Sequence, residues 1–147
     1  MPSKENTSGV HLWLVLMKAH HAMSLHAEQS IARTGLCLSD FAVLEMILHR
    51  GPLPIHAFME KMMLTSGSLT AAVDRLEKKE LVTREFCKTD RRVRIIHLTS
   101  RGEALSKKLF EQHTEDMERA TAALSASERE QLLVLLKKMG KSAEKTI

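Results

Sequence analysis

From Gly9 to about Arg33, apolar residues recur at helical spacing, with Leu12, Leu16, Ala19, Met23 and Ile31 on one inward stripe. Val10, Trp13 and Met17 widen that stripe beyond one face, more than a chain of 147 residues can cover by itself. A partner subunit is therefore expected against this helix, and Gly35 follows it as a C-cap residue. Ser39 opens a second helix with Phe41, Leu44, Ile47 and Leu48 at helical spacing, ended by Gly51-Pro52.

Pro54 begins a short third helix, and Thr65-Ser66-Gly67 turns the chain into a fourth that runs to about Lys79. That fourth helix buries Leu69, Val73 and Leu76 and exposes Ser68, Thr70, Ala71, Asp74 and Arg75. Two short helices joined by a tight Gly-containing turn form a helix-turn-helix unit. The period then changes to two. Leu81 to Phe86 and Val93 to Leu98 read as strands around a tip from Lys88 to Arg92.

Thr99 and Ser100 can each cap the next helix, and Ser100 with Glu103 has capping-box spacing. This helix runs toward Leu124 through Leu105, Leu109, His113, Met117 and Ala120. Ser125/Glu128 and Ser127/Glu130 offer two starts for a last helix carrying Leu132, Leu133, Leu135, Leu136 and Met139. The predicted fold is mainly α with a small antiparallel β wing, in the order α-α-α-α-β-β-α-α. Residues 1–8 read as a frayed leader with no apolar signal core, and no membrane span is expected.

Charge changes the picture more than composition does. The chain carries a formal +4, and between residues 84 and 101 six cations (Arg84, Lys88, Arg91, Arg92, Arg94 and Arg101) face only Glu85 and Asp90. The wing therefore matches the whole net excess, the electrostatic footprint of a nucleic-acid binder. Aromatics are 3% with no Tyr, which argues against base-stacking on single strands and leaves duplex DNA. No P-loop, dinucleotide glycine pattern, nucleophile elbow or H-E-x-x-H motif occurs, so neither an enzyme nor a cofactor is expected.

Two segments carry a family resemblance. DRRVRIIHLTSRG, from Asp90 to Gly102, and VDRLEKKELVTRE, from Val73 to Glu85, resemble linked signatures of the MarR family of winged helix-turn-helix transcription regulators. The resemblance spans the chain and implies a single domain over 1–147. Residues 9–34 and 100–147 would be dimerisation helices and 36–99 the winged DNA-binding lobe. It implies a cytoplasmic homodimer, a repressor on a pseudo-palindromic operator that releases DNA on meeting a small-molecule effector. Glu80 departs from the family pattern, which has Gly there, so a strained left-handed turn or an altered one is expected. TGLCLSDFAVLE, from Thr34 to Glu45, is similar to members that respond to quinones or phenols.

The expected DNA contacts fall in two groups. Thr65, Ser66 and Ser68 place hydroxyls and backbone N–H groups at a helix N-terminus suited to phosphates, with Thr70, Ala71 and Arg75 facing base edges or nearby backbone. Asp74 and Arg75 also suit structural ion pairs. On the wing, Arg92 would enter a minor groove, oriented by Asp90, while Lys88, Arg91 and Arg94 meet phosphates.

Met17, His20 and His21 are placed near the family's ligand pocket by the resemblance. Cys37 and Cys87 form no CxxC and are candidates for thiol modification, Cys87 because cations surround it. His20, His21 and His26 lack the spacing of a helical metal pair, so no metal site is expected. The competing reading is a helical homodimeric interaction protein or redox sensor without operator binding. Salt-sensitive binding to duplex DNA separates the two.

Overall fold

Four side-chain oxygens set the starts of four helices. Ser8 Oγ accepts from His11 N–H, Thr65 Oγ1 from Ser68 N–H, Thr99 Oγ1 from Gly102 N–H and Ser125 Oγ from Glu128 N–H. Each satisfies a backbone donor that the first helical turn leaves open. The computed structural model describes residues 6–62 and 64–147. Their order is α1 (Gly9–Ala32), α2 (Leu38–Arg50), β1 (Leu53–Pro54), α3 (Ile55–Lys61), α4 (Ser66–Lys78), β2 (Val82–Phe86), β3 (Arg94–Leu98), α5 (Ser100–Ala120) and α6 (Ala126–Glu144).

The caps correct several expectations. Ser8 belongs to the start of α1 rather than to a frayed leader, whose first five residues lie outside the described ones. Thr99, not Ser100, caps α5, and Glu103 pairs with Lys107 one turn on, at 2.7 Å, instead of closing a box. Of the two registers before α6, Ser125/Glu128 is used, with Ser125 N–H donating to Glu128 Oε2 at 2.8 Å. Helix α1 is capped by Arg33, and Gly35 takes a left-handed φ of 74° two residues later.

The sheet has three strands rather than two. Leu53 pairs with Ile96 and Pro54 with Ile95, giving the order β1-β3-β2, all antiparallel. Pro54 is tolerated because β1 is an edge strand.

One apolar cluster lies among α2, α3, α4, the sheet and the start of α5. Leu44, Phe58, Leu69, Val73, Leu76 and Ile96 are fully buried within it. Helix α1 adds only Ile31 from its last turns, and α6 adds none. Leu12, Leu16, Leu132, Leu133, Leu135, Leu136 and Met139 are all exposed. Apart from Ile31, the inward stripe read on α1 therefore does not face this subunit's own core, and neither do the leucines of α6.

Between α4 and β2 the chain turns through Glu80 at φ 58°. Glu80 N–H donates to Glu77 O at 2.9 Å and Leu81 N–H to Leu76 O at 3.0 Å, the paired bonds of a Schellman ending with Glu in the place of glycine. Thr99 Oγ1 donates to Glu80 O at 2.7 Å and fixes the turn from the α5 side. Helix α5 begins flush against this turn. A Cβ on Gly102 would stand 1.9 Å from Leu81 O, so only glycine fits there. The same carbonyl accepts from Thr99 N–H at 3.1 Å. Together these contacts hold the wing, α4 and α5 as one unit.

Among the described residues, no helix is long and apolar enough to cross a membrane. No three His, Cys, Asp or Glu side chains among them converge as metal ligands.

Candidate DNA-binding interface

Burial of Leu69, Ala72, Val73 and Leu76 fixes the roll of α4 and turns its other face outward. Ser66, Ser68, Thr70 and Ala71 all lie exposed there. At the helix start the Thr65 hydroxyl donates to Ser68 Oγ at 2.9 Å, so the two oxygens form one polar corner beside the open backbone donors.

Arg75 differs from its neighbours on this face. Its Nε and Nη2 donate to Asp40 Oδ1 at 3.0 and 2.8 Å, and Nη2 also reaches Ser39 Oγ at 3.2 Å and Cys37 Sγ at 3.3 Å. The Asp40 side chain is 2% exposed and also accepts from Cys37 N–H, while the Arg75 side chain is 44% exposed. The hydrogen bond to Asp40 raises the Arg75 pKa against the opposing effect of desolvation. Arg75 thus ties α4 to the start of α2.

A second tie joins α4 to the wing. Arg84 on β2 donates to Asp74 and to Glu77, one turn apart on α4. Partial burial alone would lower the Arg84 pKa, but the bonds to Asp74 and Glu77 outweigh it and raise it. Sequence reasoning marked Asp74 as an ion-pair candidate but did not find its partner on the strand.

At the tip, Arg92 N–H and Nε donate to Asp90 Oδ1 at 3.0 and 3.1 Å, and Nη2 donates to Oδ2 at 3.3 Å. The Arg92 side chain is 91% exposed. Its hydrogen bonds, side-chain then backbone, hold the Asp90 carboxyl below the usual carboxylate range. Val93 N–H to Asp90 O and Cys87 N–H to Val93 O close the tip beneath this pair. Lys88 and Arg91 are exposed and make no ion pair among the described residues. Arg94 lies over the ring of Phe86, 3.6 Å from its centroid. Phe86 was not singled out in the sequence, although strand alternation could have found it.

The two cysteines sit on separate elements. Cys37 is the exposed N-cap residue of α2, and Cys87 is half-buried just past β2, at the base of the hairpin tip. The Thr89 hydroxyl at 3.2 Å, then the backbone N–H groups of Thr89 and Asp90, hold the Cys87 thiol below its ordinary value. Local hydrogen bonds, rather than the nearby cations invoked from sequence, are the cause.

Met17, His20 and His21 lie on the exposed N-terminal part of α1, and none of the described cavities includes them. The largest of those beside α4 is about 550 Å³, lined by Glu28, Ala32, Leu36, Cys37, Leu38, Ser39, Leu64 and Ser68. An adjoining one of about 360 Å³ shares Leu38, Ser39 and Leu64 and adds Phe41, Glu45, Met62 and His113. No spacing in the sequence announces this cavity, because it forms where α1, α2 and the approach to α4 meet.

Known proteins share this arrangement. Residues 36–93 match the MarR family. The HTH-type transcriptional regulator MhqR of Bacillus subtilis is 36% identical over 90% of this chain and 92% of its own length. The fold superposes on a mutant MarR from E. coli solved in complex with operator DNA, with TM-score 0.81 and 22% identity over 88% of this chain and 94% of that one. BpsR of Bordetella bronchiseptica, studied for regulation of its DNA binding by 6-hydroxynicotinic acid, gives TM-score 0.80 at 21% identity, covering 95% and 98%. With its helix-turn-helix tied to a cationic wing, this chain belongs to the MarR family and is a transcription regulator rather than an enzyme.

Proposed function

We propose that the chain acts as a homodimer that binds a pseudo-palindromic operator in duplex DNA and represses transcription until an effector releases it. The observation that carries this reading is the Arg84 clamp. It holds a hydroxyl-rich helix face and a cationic hairpin as one rigid surface. Helix α4 would enter a major groove, with Thr65, Ser66 and Ser68 on phosphates and Thr70 and Ala71 at base edges. Arg92, held by Asp90, would enter the adjacent minor groove, and Lys88, Arg91 and Arg94 would meet phosphates. Arg75 contributes by fixing α4 on α2.

The exposed apolar faces of α1 and α6 support dimerisation. Val10, Trp13, Leu133 and Leu135 are 71%, 58%, 56% and 61% exposed, apolar surface that an isolated subunit would leave in water. Residues 9–34 and 100–147 would then hold two copies of the 36–99 lobe. The cavity between α1, α2 and α4 suits a flat, weakly polar effector of phenolic or quinone type, whose entry would shift α4 against α2. Cys37 lines the same cavity, so thiol modification there would act on the same contact.

Selection of bound fragments from genomic DNA by the purified protein tests this, repeated with a quinone, a phenolic acid and peroxide. The expected result is a symmetric sequence with half-sites about 10 base pairs apart, a dimeric mass in light scattering, and loss of binding with one of the three additives. A monomer, or indifference to duplex DNA in dilute buffer, would overturn the reading.

A further inference from the structure

Phe86 closes β2 at 57% exposure, a large aromatic side chain that the core does not use. Its ladder partner is Arg94, and the two side chains stack at 3.6 Å. Strand alternation puts Phe86 on the same face as Val82 and Arg84, and Arg94 on the same face as Ile96. Val82 and Ile96 are buried, and Arg84 is bonded to α4. The stack therefore ends the row of side chains that joins the wing to the recognition helix, at its solvent margin.

The wing cations are held in different ways. Arg84 faces two carboxylates and Arg92 faces one, so part of each charge is cancelled at its source. Lys88 and Arg91 have no ion pair among the described residues, and no contact there fixes their orientation. Arg94 alone among the described wing cations is held in place without an opposing carboxylate. An aromatic face attracts a guanidinium through its quadrupole and leaves the positive field intact.

We infer that Phe86 is a positioning residue for DNA binding, whose ring holds the Arg94 guanidinium ready for a backbone phosphate. The inference rests on the DNA-binding reading above. Fixing the side chain beforehand removes the ordering cost that a free arginine bears on binding.

Titration of an operator duplex against Phe86→Leu, Phe86→Trp, Arg94→Gln and the Phe86→Leu/Arg94→Gln double variant, over a range of salt, tests it. Arg94→Gln should flatten the plot of log affinity against log salt by about one unit of slope. Phe86→Leu should weaken binding about two- to fivefold, and Phe86→Trp should restore it. In the Arg94→Gln background, Phe86→Leu should add no further loss. In the free protein, the Arg94 side-chain protons should show upfield ring-current shifts that Phe86→Leu abolishes. If Phe86→Leu does not fold, Phe86→Met takes its place at this exposed position. Wild-type affinity in Phe86→Leu, failure of Phe86→Trp to restore binding, or additive losses in the double variant would overturn the inference. Absence of duplex binding by the wild-type protein would instead overturn the reading beneath it.

Discussion

The guanidinium of Arg75 on α4 meets the carboxylate of Asp40 on α2 through two donors, at 3.0 and 2.8 Å, with the carboxylate buried. This sets where the recognition helix sits on the core. Arg75→Ala would leave a buried carboxylate with only the Cys37 N–H and should cost about 2–3 kcal/mol, less than a wholly buried pair because Arg75 is partly exposed. Urea denaturation would show the midpoint falling with an unchanged slope. The Arg75→Ala/Asp40→Ala double variant should lose less than the sum of the two single losses. Strict additivity would rule out the strut.

A second consequence concerns Glu80, which takes φ 58° where a side chain is strained. Its ion pair with Arg101 is 3.7 Å long between two largely exposed groups, so little is lost with it. Glu80→Gly should raise stability by about 0.5–1 kcal/mol, the left-handed strain relieved less the added chain entropy of glycine. A thermal melt shifted upward by about 1–4 °C would agree. A downward shift would mean that the turn is not strained.

Much of this fold was legible because its signals are local. The spacing of Leu69, Val73 and Leu76 sets both the existence and the roll of α4, and all three are buried. The departure at Glu80 marked the left-handed turn for the same reason, since the family pattern has glycine there and the observed φ is positive. Asp90 and Arg92 lie two residues apart, so their meeting needs no tertiary knowledge. What escaped is non-local. Arg75 and Asp40 are 35 positions apart, and nothing on α4 alone says that its arginine turns inward. Strand β1 has two residues, one of them proline, and exists only because β3 offers it an edge. The stripes of α1 and α6 read correctly as helices, and the width of the α1 stripe pointed to a partner subunit, but periodicity alone placed Leu12 and Leu16 inward where they lie exposed.

The Asp90–Arg92 pair makes a sharper prediction about the wing. Arg92→Ala should weaken operator binding at least tenfold at moderate salt, the loss of about 1.4 kcal/mol or more from one desolvated minor-groove cation. Asp90→Asn removes a negative charge near DNA but also frees the guanidinium, so its effect should be much smaller and of either sign. Fluorescence anisotropy on a labelled duplex measures both. Near-normal affinity in Arg92→Ala would move the contact elsewhere on the hairpin.

Cys87 offers the last test. The Thr89 hydroxyl and two backbone N–H groups stabilise its thiolate, so the folded pKa lies below that of the unfolded chain. The sign follows directly. The linked stability is present above the unfolded pKa and disappears as pH falls through the folded one. Reactivity is the sensitive readout. In a Cys37→Ser background, alkylation by iodoacetamide should rise with pH through a midpoint lower in the folded protein than in urea. Thr89→Val removes the largest cause and should move that midpoint up, whereas Asp90→Asn removes a neighbouring negative charge that opposes the thiolate and should move it down. Identical midpoints in folded and unfolded protein would show that the hairpin tip does not activate this thiol.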